Sequence, residues 1–414
     1  MPIEIRELEC GAVLLVEPMA GVKSCALNWS LPAGAAAEPA ERLGLSGIVA
    51  EMVQRGAGGL TSREHADALD AAGVSRGLDT GMRTSRLSAT FVGQDLDQAI
   101  PLLADMIVRP NMDKDAFAPA QSLALQELEA LDDDPQERAA VEAMARHLPP
   151  PFNRSNYGTR DGLSACTPAD ALKFLRSAYV PRGSIIALAG DVDPMLAQDA
   201  LDAALTGWTG EKGEPTTRGQ APRGRDHIHD DGAQVQIIVM RDAPSEGTSQ
   251  AACERLATAV LSGGMSGRLF TEVREKRGLC YAVHASYTPE RDTGWQTAYV
   301  GTTPERAAES LEVLFAELDR LATPQGAPTE EEFQRARVGL KSRIVFGGES
   351  TAARAGALAN DYRKLGRCRS LEERVAEIDA IDLPALRRYL ADYDRGVPTV
   401  LTLGPAPASA PMES

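Results

Sequence analysis

The chain presents one order of elements twice. In the first half, strand-like ALNWSLPAG leads to a helix opening at Gly44 and a second opening at Thr61/Ser62. Strand RLSATFVG, helix DLDQAIPLLADMI and helical DKDAFAPAQSLALQELEAL follow. In the second half, AQVQIIVMRD leads to helical SQAACERLATAVL and SGRLFTEVREKRG. Strands CYAVHASY and WQTAYVG come next, then helical PERAAESLEVLFAELDRLA and TEEEFQRARVGLKSRIV. Each half also closes alike, on helical PADALKFLRSAYV and strand SIIALAG in one, helical LPALRRYLADY and strand TVLTLG in the other. Two copies of one element order call for two copies of one domain. The expected fold is therefore α+β, two homologous domains, each an antiparallel sheet backed by helices. Alternating strands suit sheets with one packed face.

A chain of 414 residues is too long for one ordinary core. The sharpest break in composition is GWTGEKGEPTTRGQAPRGRD, rich in Gly, Pro and charge. The expected division is a first domain over 1–206, a linker over 207–228 and a second domain over 229–414. A net charge of −16 with no basic stripe excludes a nucleic-acid binder, whose affinity rests on neutralising phosphates. No apolar run approaches the roughly 20 residues of a membrane-spanning helix. The six cysteines lie far apart with no C-x-x-C pair, and MPIEIRELECG has no basic segment before an apolar run. Reduced thiols and a cytoplasmic location follow, or a periplasmic one if a signal segment had been removed.

GLSGIVAEMVQRG, residues 44–56, carries an apolar stripe of Leu45, Ile48, Val49, Met52 and Val53 at helical spacing. Gly47, Ala50 and Glu51 stand together on another face. A zinc site of the H-x-x-E-H kind puts two histidines and a glutamate at those three positions. Here they hold a hydrogen, a methyl group and one carboxylate.

With GLSGIVAEMVQRGAGGLTS, QELEALDDDP and SGGMSGRLFTEVREKRGLCYAVHASY on view, the whole chain resembles the M16 (pitrilysin or insulinase-like) peptidases. It is similar to their bacterial short-chain branch and to the relatives among mitochondrial processing and respiratory core subunits. The resemblance implies domains forming half of a clamshell, and a zinc helix completed by a downstream glutamate. Gly47 stands for the first histidine, Ala50 for the base and Glu51 for the second histidine, while Glu127 keeps the place of the third ligand. Two carboxylates without imidazole do not make an open three-ligand zinc site, and Ala50 cannot deprotonate a water. No metal is expected in this chain. The five histidines, His65, His147, His227, His229 and His284, all lie off this helix. His227 and His229 in DHIHDD have no third ligand nearby in sequence and are read as a solvated strand entry.

In two-chain members of the family, one subunit carries zinc and the other presents an arginine and a tyrosine. Arg274 and Tyr281, in REKRGLCY, match that pair. On spacing alone Arg274, Lys276 and Arg277 read as cations at a helix end stopped by Gly278, and Tyr281 as a strand residue. The resemblance instead implies donors to a substrate carbonyl, acting in trans beside a paralogous zinc-bearing subunit on an extended peptide. The alternative it leaves open is a structural relative without a role in peptidolysis. The Gly-rich turn LSGGMSG, residues 261–267, lacks a phosphate-loop pattern; it reads as a connection between helices, with substrate-backbone contact as the lesser alternative.

Overall fold

The computed structural model describes residues 2–405, so the end of the expected second domain, 406–414, lies outside the described residues. Strands β1 (Glu4–Glu7), β2 (Val13–Pro18), β3 (Ser24–Leu31), β4 (Ser75–Thr80), β5 (Ser85–Val92) and β6 (Ile185–Gly190) form one sheet, in the order β1-β2-β6-β3-β5-β4. Strands β7 (Gly224–His229), β8 (Val235–Ala243), β9 (Cys280–Pro289), β10 (Gly294–Thr302) and β11 (Thr399–Gly404) form another, in the order β7-β11-β8-β10-β9. Without β1, the two orders are one topology. The duplication expected from sequence is present in the five strands that the two sheets share.

Each sheet is antiparallel except for one pair. β6 runs parallel to β2 and antiparallel to β3, and β11 runs parallel to β7 and antiparallel to β8. A parallel pair needs a crossover, which the intervening helices supply. β2 and β7 thus gain this parallel neighbour only when the chain returns from the helices just before β6 and β11, far along the sequence. This also corrects the end of the expected linker. Residues 224–228 belong to β7, because the second copy needs an opening strand as the first needs β2.

The helices in chain order are α1 (Leu45–Met52), α2 (Ser62–Ala71), α3 (Leu96–Val108), α4 (Lys114–Ala130), α5 (Pro135–His147), α6 (Arg160–Ala165), α7 (Pro168–Ala178) and α8 (Pro194–Ala204). Then come α9 (Ala251–Ser262), α10 (Ala307–Arg320), α11 (Glu330–Gly348), α12 (Thr351–Leu365), α13 (Leu371–Asp379) and α14 (Leu383–Asp392). Local chemistry starts several of them. Thr61 with Glu64, Thr167 with Asp170 and Ser370 with Glu373 form reciprocal capping boxes.

The chain packs as two units that are not continuous stretches. Among the described residues, one collects residues 2–130, Pro150–Gly219 and Gly347–Cys368; the other collects Leu131–Pro149, Gln220–Phe346 and residues 369–405. In the first unit, α12 lies across β3 and β6. Its Leu358 and Ala359 pack with Leu15, Ile185 and Ala187, and buried Arg354 donates from Nε and Nη2 to Glu17 at 2.9 and 2.5 Å. The core on the other face includes Trp29, whose ring meets Trp208 edge-on at 5.5 Å. In the second unit, α5 covers β8 and β11, presenting Ala139, Ala143 and His147. Fully buried Glu254 is satisfied there by two bonds from Arg395, at 2.9 and 2.7 Å, one from the Tyr389 hydroxyl at 2.6 Å and one from Gln296 at 2.9 Å. A buried acid is tolerated when its lone pairs are all taken in this way.

His147 is 1% exposed. Its Nδ1 lies 3.1 Å from Thr399 Oγ1, and its Nε2 lies 3.6 Å from Asp242, itself clamped by Arg223. Burial, aided by the Arg223 charge and opposed by Asp242, pushes the imidazole down to about 4. The folded state therefore refuses a proton that the unfolded chain accepts below about 6.5. Stability is fully present above that pH and is lost as pH falls toward 4, by about 3 kcal/mol from this group. Denaturant midpoints measured across this window should fall in the wild type and flatten in His147→Gln; equal slopes in both would contradict the assignment.

Candidate functional site

In the first unit, α1 is positioned by its N-terminus. Gly44 has φ +102°, and a β-carbon there would meet Leu163 at 2.4 Å. The buried Glu38 carboxylate accepts from the Gly44 and Ser46 amides at 2.9 and 2.8 Å and from the Ser46 hydroxyl at 2.5 Å. A carboxylate held by a helix's first amides is favoured by the helix dipole as well as by the bonds. The helix ends at Met52, short of the expected Arg55.

Gly47, Ala50 and Glu51 lie on α1, which packs beside α4 and Glu127. At Gly47 a β-carbon would meet only the Asn156 carbonyl, at 3.9 Å, so packing does not demand glycine. Ala50 is buried. Glu51 is paired one turn along with Arg55, at 2.7 Å. Burial, and then the charge of Glu51, raise the Glu127 carboxyl. The two acids are thus brought near each other, but one is neutralised by an arginine and neither has an imidazole beside it. Among the described residues no group of three or more His, Cys, Asp or Glu side chains is placed to hold a metal ion. The donors present do not fit the zinc that the fold family implies. His227 and His229 sit on β7, His227 against Thr402 at 2.9 Å and His229 against Asp231 at 3.1 Å.

In the second unit, the segment carrying Arg274 and Tyr281 is irregular at both ends. The helix expected over 266–278 starts later and widens into a π-helical turn over Phe270–Glu275, with the Lys276 amide bonded to the Thr271 carbonyl at 3.0 Å. Gly278 takes φ +62° and closes the turn. Its amide donates to the Arg274 carbonyl and that of Leu279 to the Val273 carbonyl, each at 3.0 Å, a cap one residue wider than the usual Schellman pair. Strand β9 then begins with a bulge. Cys280 pairs with Thr302 and Ala282 with Gly301, leaving Tyr281 as the extra residue. Single π-turns and bulges re-aim side chains and concentrate at functional positions.

The charges of REKR divide unequally. Glu272 takes both Lys276, at 2.8 Å, and Arg277, at 2.9 Å. Arg274 is exposed, has no ion pair among the described residues, and rests its guanidinium 5.0 Å from the centroid of the Phe270 ring. It lies close enough to Cys280 for its charge to offset part of the rise that burial imposes on that thiol. Tyr281 is 68% exposed, although a large aromatic at a strand's start is ordinarily covered. The helix-end reading therefore accounts for Lys276 and Arg277 but leaves Arg274 and Tyr281 over. The family resemblance pointed to the pair where spacing alone did not; the wide turn and the bulge at its two ends had no sequence signal beyond Gly278. LSGGMSG ends α9 at Ser262 and turns from Gly263 on, with Gly264 at φ +137° and Met265 77% exposed.

Residues 14–150 match the family model described as insulinase (peptidase family M16), and residues 165–340 match that of the peptidase M16 inactive domain. An uncharacterized zinc protease of Mycobacterium tuberculosis is 28% identical over 356 residues, covering 82% of this chain and 79% of that one. Another from Rickettsia felis is 27% identical over 372 residues, covering 88% of each. The fold is shared with the crystal structure of a peptidase M16 inactive domain from Pseudomonas fluorescens, at TM-score 0.87, 21% identity and full coverage of both chains. It is shared too with a Helicobacter pylori protease, at TM-score 0.87 and 18% identity over 97% of this chain and 99% of that one. A chain of Complex III2 from Candida albicans matches at TM-score 0.79 and 17% identity over 97% of this chain and 96% of that one. The chain belongs to the M16 family of insulinase-like peptidases.

Proposed function

We propose that this chain is the non-catalytic subunit of a heterodimeric zinc metallopeptidase. It pairs with a paralogous zinc-bearing M16 subunit and uses Arg274 and Tyr281 to orient an extended peptide and steady charge on its carbonyl. The observation that carries the reading is the pairing of two features. The metal helix has lost its imidazoles and its base, while Arg274 and Tyr281 stand exposed, Arg274 with no acid partner among the described residues.

When water attacks a peptide carbonyl, negative charge grows on its oxygen, and donors already aimed at that oxygen lower the barrier. A guanidinium offers five fixed N–H donors and keeps its charge near neutral pH; a phenol adds one directional O–H. Strand β9 is an edge strand, with β10 on one side only, so its outer backbone groups suit an extended peptide added as a further strand. The alternative is a purely structural relative, a reading supported by the likeness to a chain of Complex III2. Burial of apolar surface serves a scaffold better than an exposed phenol on a bulge, and this favours the catalytic partnership.

Two outcomes test the proposal. The chain purified with its zinc-bearing partner should cleave peptides, and Arg274→Ala/Tyr281→Phe should lower kcat about 100-fold or more with pairing intact; wild-type rates from the variant mixture would sink the mechanism. Elemental analysis should find no stoichiometric zinc in this chain alone. Gly47→His/Ala50→Glu/Glu51→His, for which α1 has room at residue 47, should gain about one zinc per chain with Glu127 as a ligand. Stoichiometric zinc in the wild type would contradict the reading of α1.

A further inference from the structure

The duplication permits a comparison between α4 and α11. Phe117 and Ala120 are buried on α4, and Phe333 and Ala336, at the same spacing, are buried on α11. In that register the position of Leu123 is taken by Gly339 and the position of Glu127 by Arg343. The carboxylate on α4 thus has a cation as its counterpart on α11.

Arg335, Gly339 and Arg343 follow one another at four-residue spacing and line one slot against Ala259 and Gly263, at the end of α9, and Ser266. Two turns of helix separate the arginine backbones, about 12 Å. The slot is partly open and has room of about 20 Å³ for a water-sized group. Arg343 is exposed and forms no ion pair among the described residues. Arg335 has only Glu331, at 3.5 Å and with its carboxylate 85% exposed, a pair too screened to hold it. Glu332 also borders the slot, but its charge is already spent. Burial alone would raise it, yet two bonds from Arg268, at 2.7 and 2.8 Å, bring it down to about 2.

Gly339 lies in the middle of a 19-residue helix, where glycine is the weakest helix former apart from proline. A β-carbon there would meet nothing within 4 Å. Nothing within the fold requires glycine at this position; what its absence of side chain does provide is a bare floor between two guanidinium groups.

We propose that this slot binds a carboxylate carried by an extended acidic peptide that crosses α11 over Gly339, with Arg335 and Arg343 on either side. In a chain of net charge −16, such a local cationic seat would select where an acidic segment rests. That the carboxylate arrives on a peptide rests on the function proposed above; that the slot takes a carboxylate does not.

The test uses the full chain alone, needing neither partner nor cleavage, so its failure is separable from failure of the proposed function. An acetylated, amidated decapeptide with a central Asp-Glu pair is titrated by calorimetry beside its Asn-Gln counterpart. The acidic peptide should bind at least about tenfold more tightly, with the preference shrinking as salt rises. Arg343→Gln should remove that preference. Gly339→Leu, which restores the first half's residue and strengthens the helix, should block binding without lowering Tm. Arg63→Gln, an exposed guanidinium on α2 in the other unit, should leave binding unchanged. Equal binding of both peptides, no binding of the acidic one up to about 1 mM, or wild-type affinity in Arg343→Gln and Gly339→Leu would each overturn the proposal.

Discussion

Leu279 is the point on which the functional geometry turns. Its side chain is buried in the core of the second unit, and its amide closes the π-turn onto Val273. Its carbonyl accepts from the Thr302 hydroxyl at 2.5 Å and lies 3.5 Å from that of Ser310. One residue therefore ties the end of the helix to strand β10 and to α10. Arg274, before it, and Tyr281, after it, are held outward because Leu279 is held inward. Neither needs an internal bonding partner of its own to stay in place, which is the condition for a donor to remain available to a ligand.

The two units show how one topology supports different chemistry. β2-β6-β3-β5-β4 and β7-β11-β8-β10-β9 are the same order, so β9 is the counterpart of β4, α9 of α1 and α11 of α4. The scaffold is kept by buried apolar positions such as Phe117 and Phe333. The polar positions on the same helices have diverged in sign. Glu51 and Glu127 remain near the first helix pair without the imidazoles that would make them ligands, and Arg335 and Arg343 stand at the second. A fold conserves what its core needs; the faces turned away from the core are free to change charge.

Much of this was legible in the sequence, for reasons that can be named. Amphipathic helices such as α3 and α10 declare themselves through their period, and β3, β8, β10 and β11 through apolar runs. Edge strand β9 was legible as CYAVHASY, but two other edge strands were not. SRGLDT and GRDHIH, which form β4 and β7, are polar, since an edge strand needs backbone partners on one side and little apolar surface. The placing of α5 and α12 was hidden because it depends on distant strands rather than on neighbours in the chain. At the site, the family resemblance indicated Arg274 and Tyr281, but the division of REKR into two cations bound by Glu272 and one left over is visible only in the fold. So is the bulge that turns Tyr281 outward.

The most direct measurement of the central claim is the affinity of a phosphinic peptide, a mimic of the tetrahedral species, for this chain assembled with its zinc-bearing partner. It should be compared with the affinity of the matching uncleaved peptide on a partner lacking its general base. Donors that act on developing charge should matter to the first ligand and little to the second. The account predicts that replacing Arg274 and Tyr281 weakens the phosphinic ligand about 100-fold or more while the substrate peptide binds nearly as before. Equal weakening of both ligands, or of neither, would contradict it.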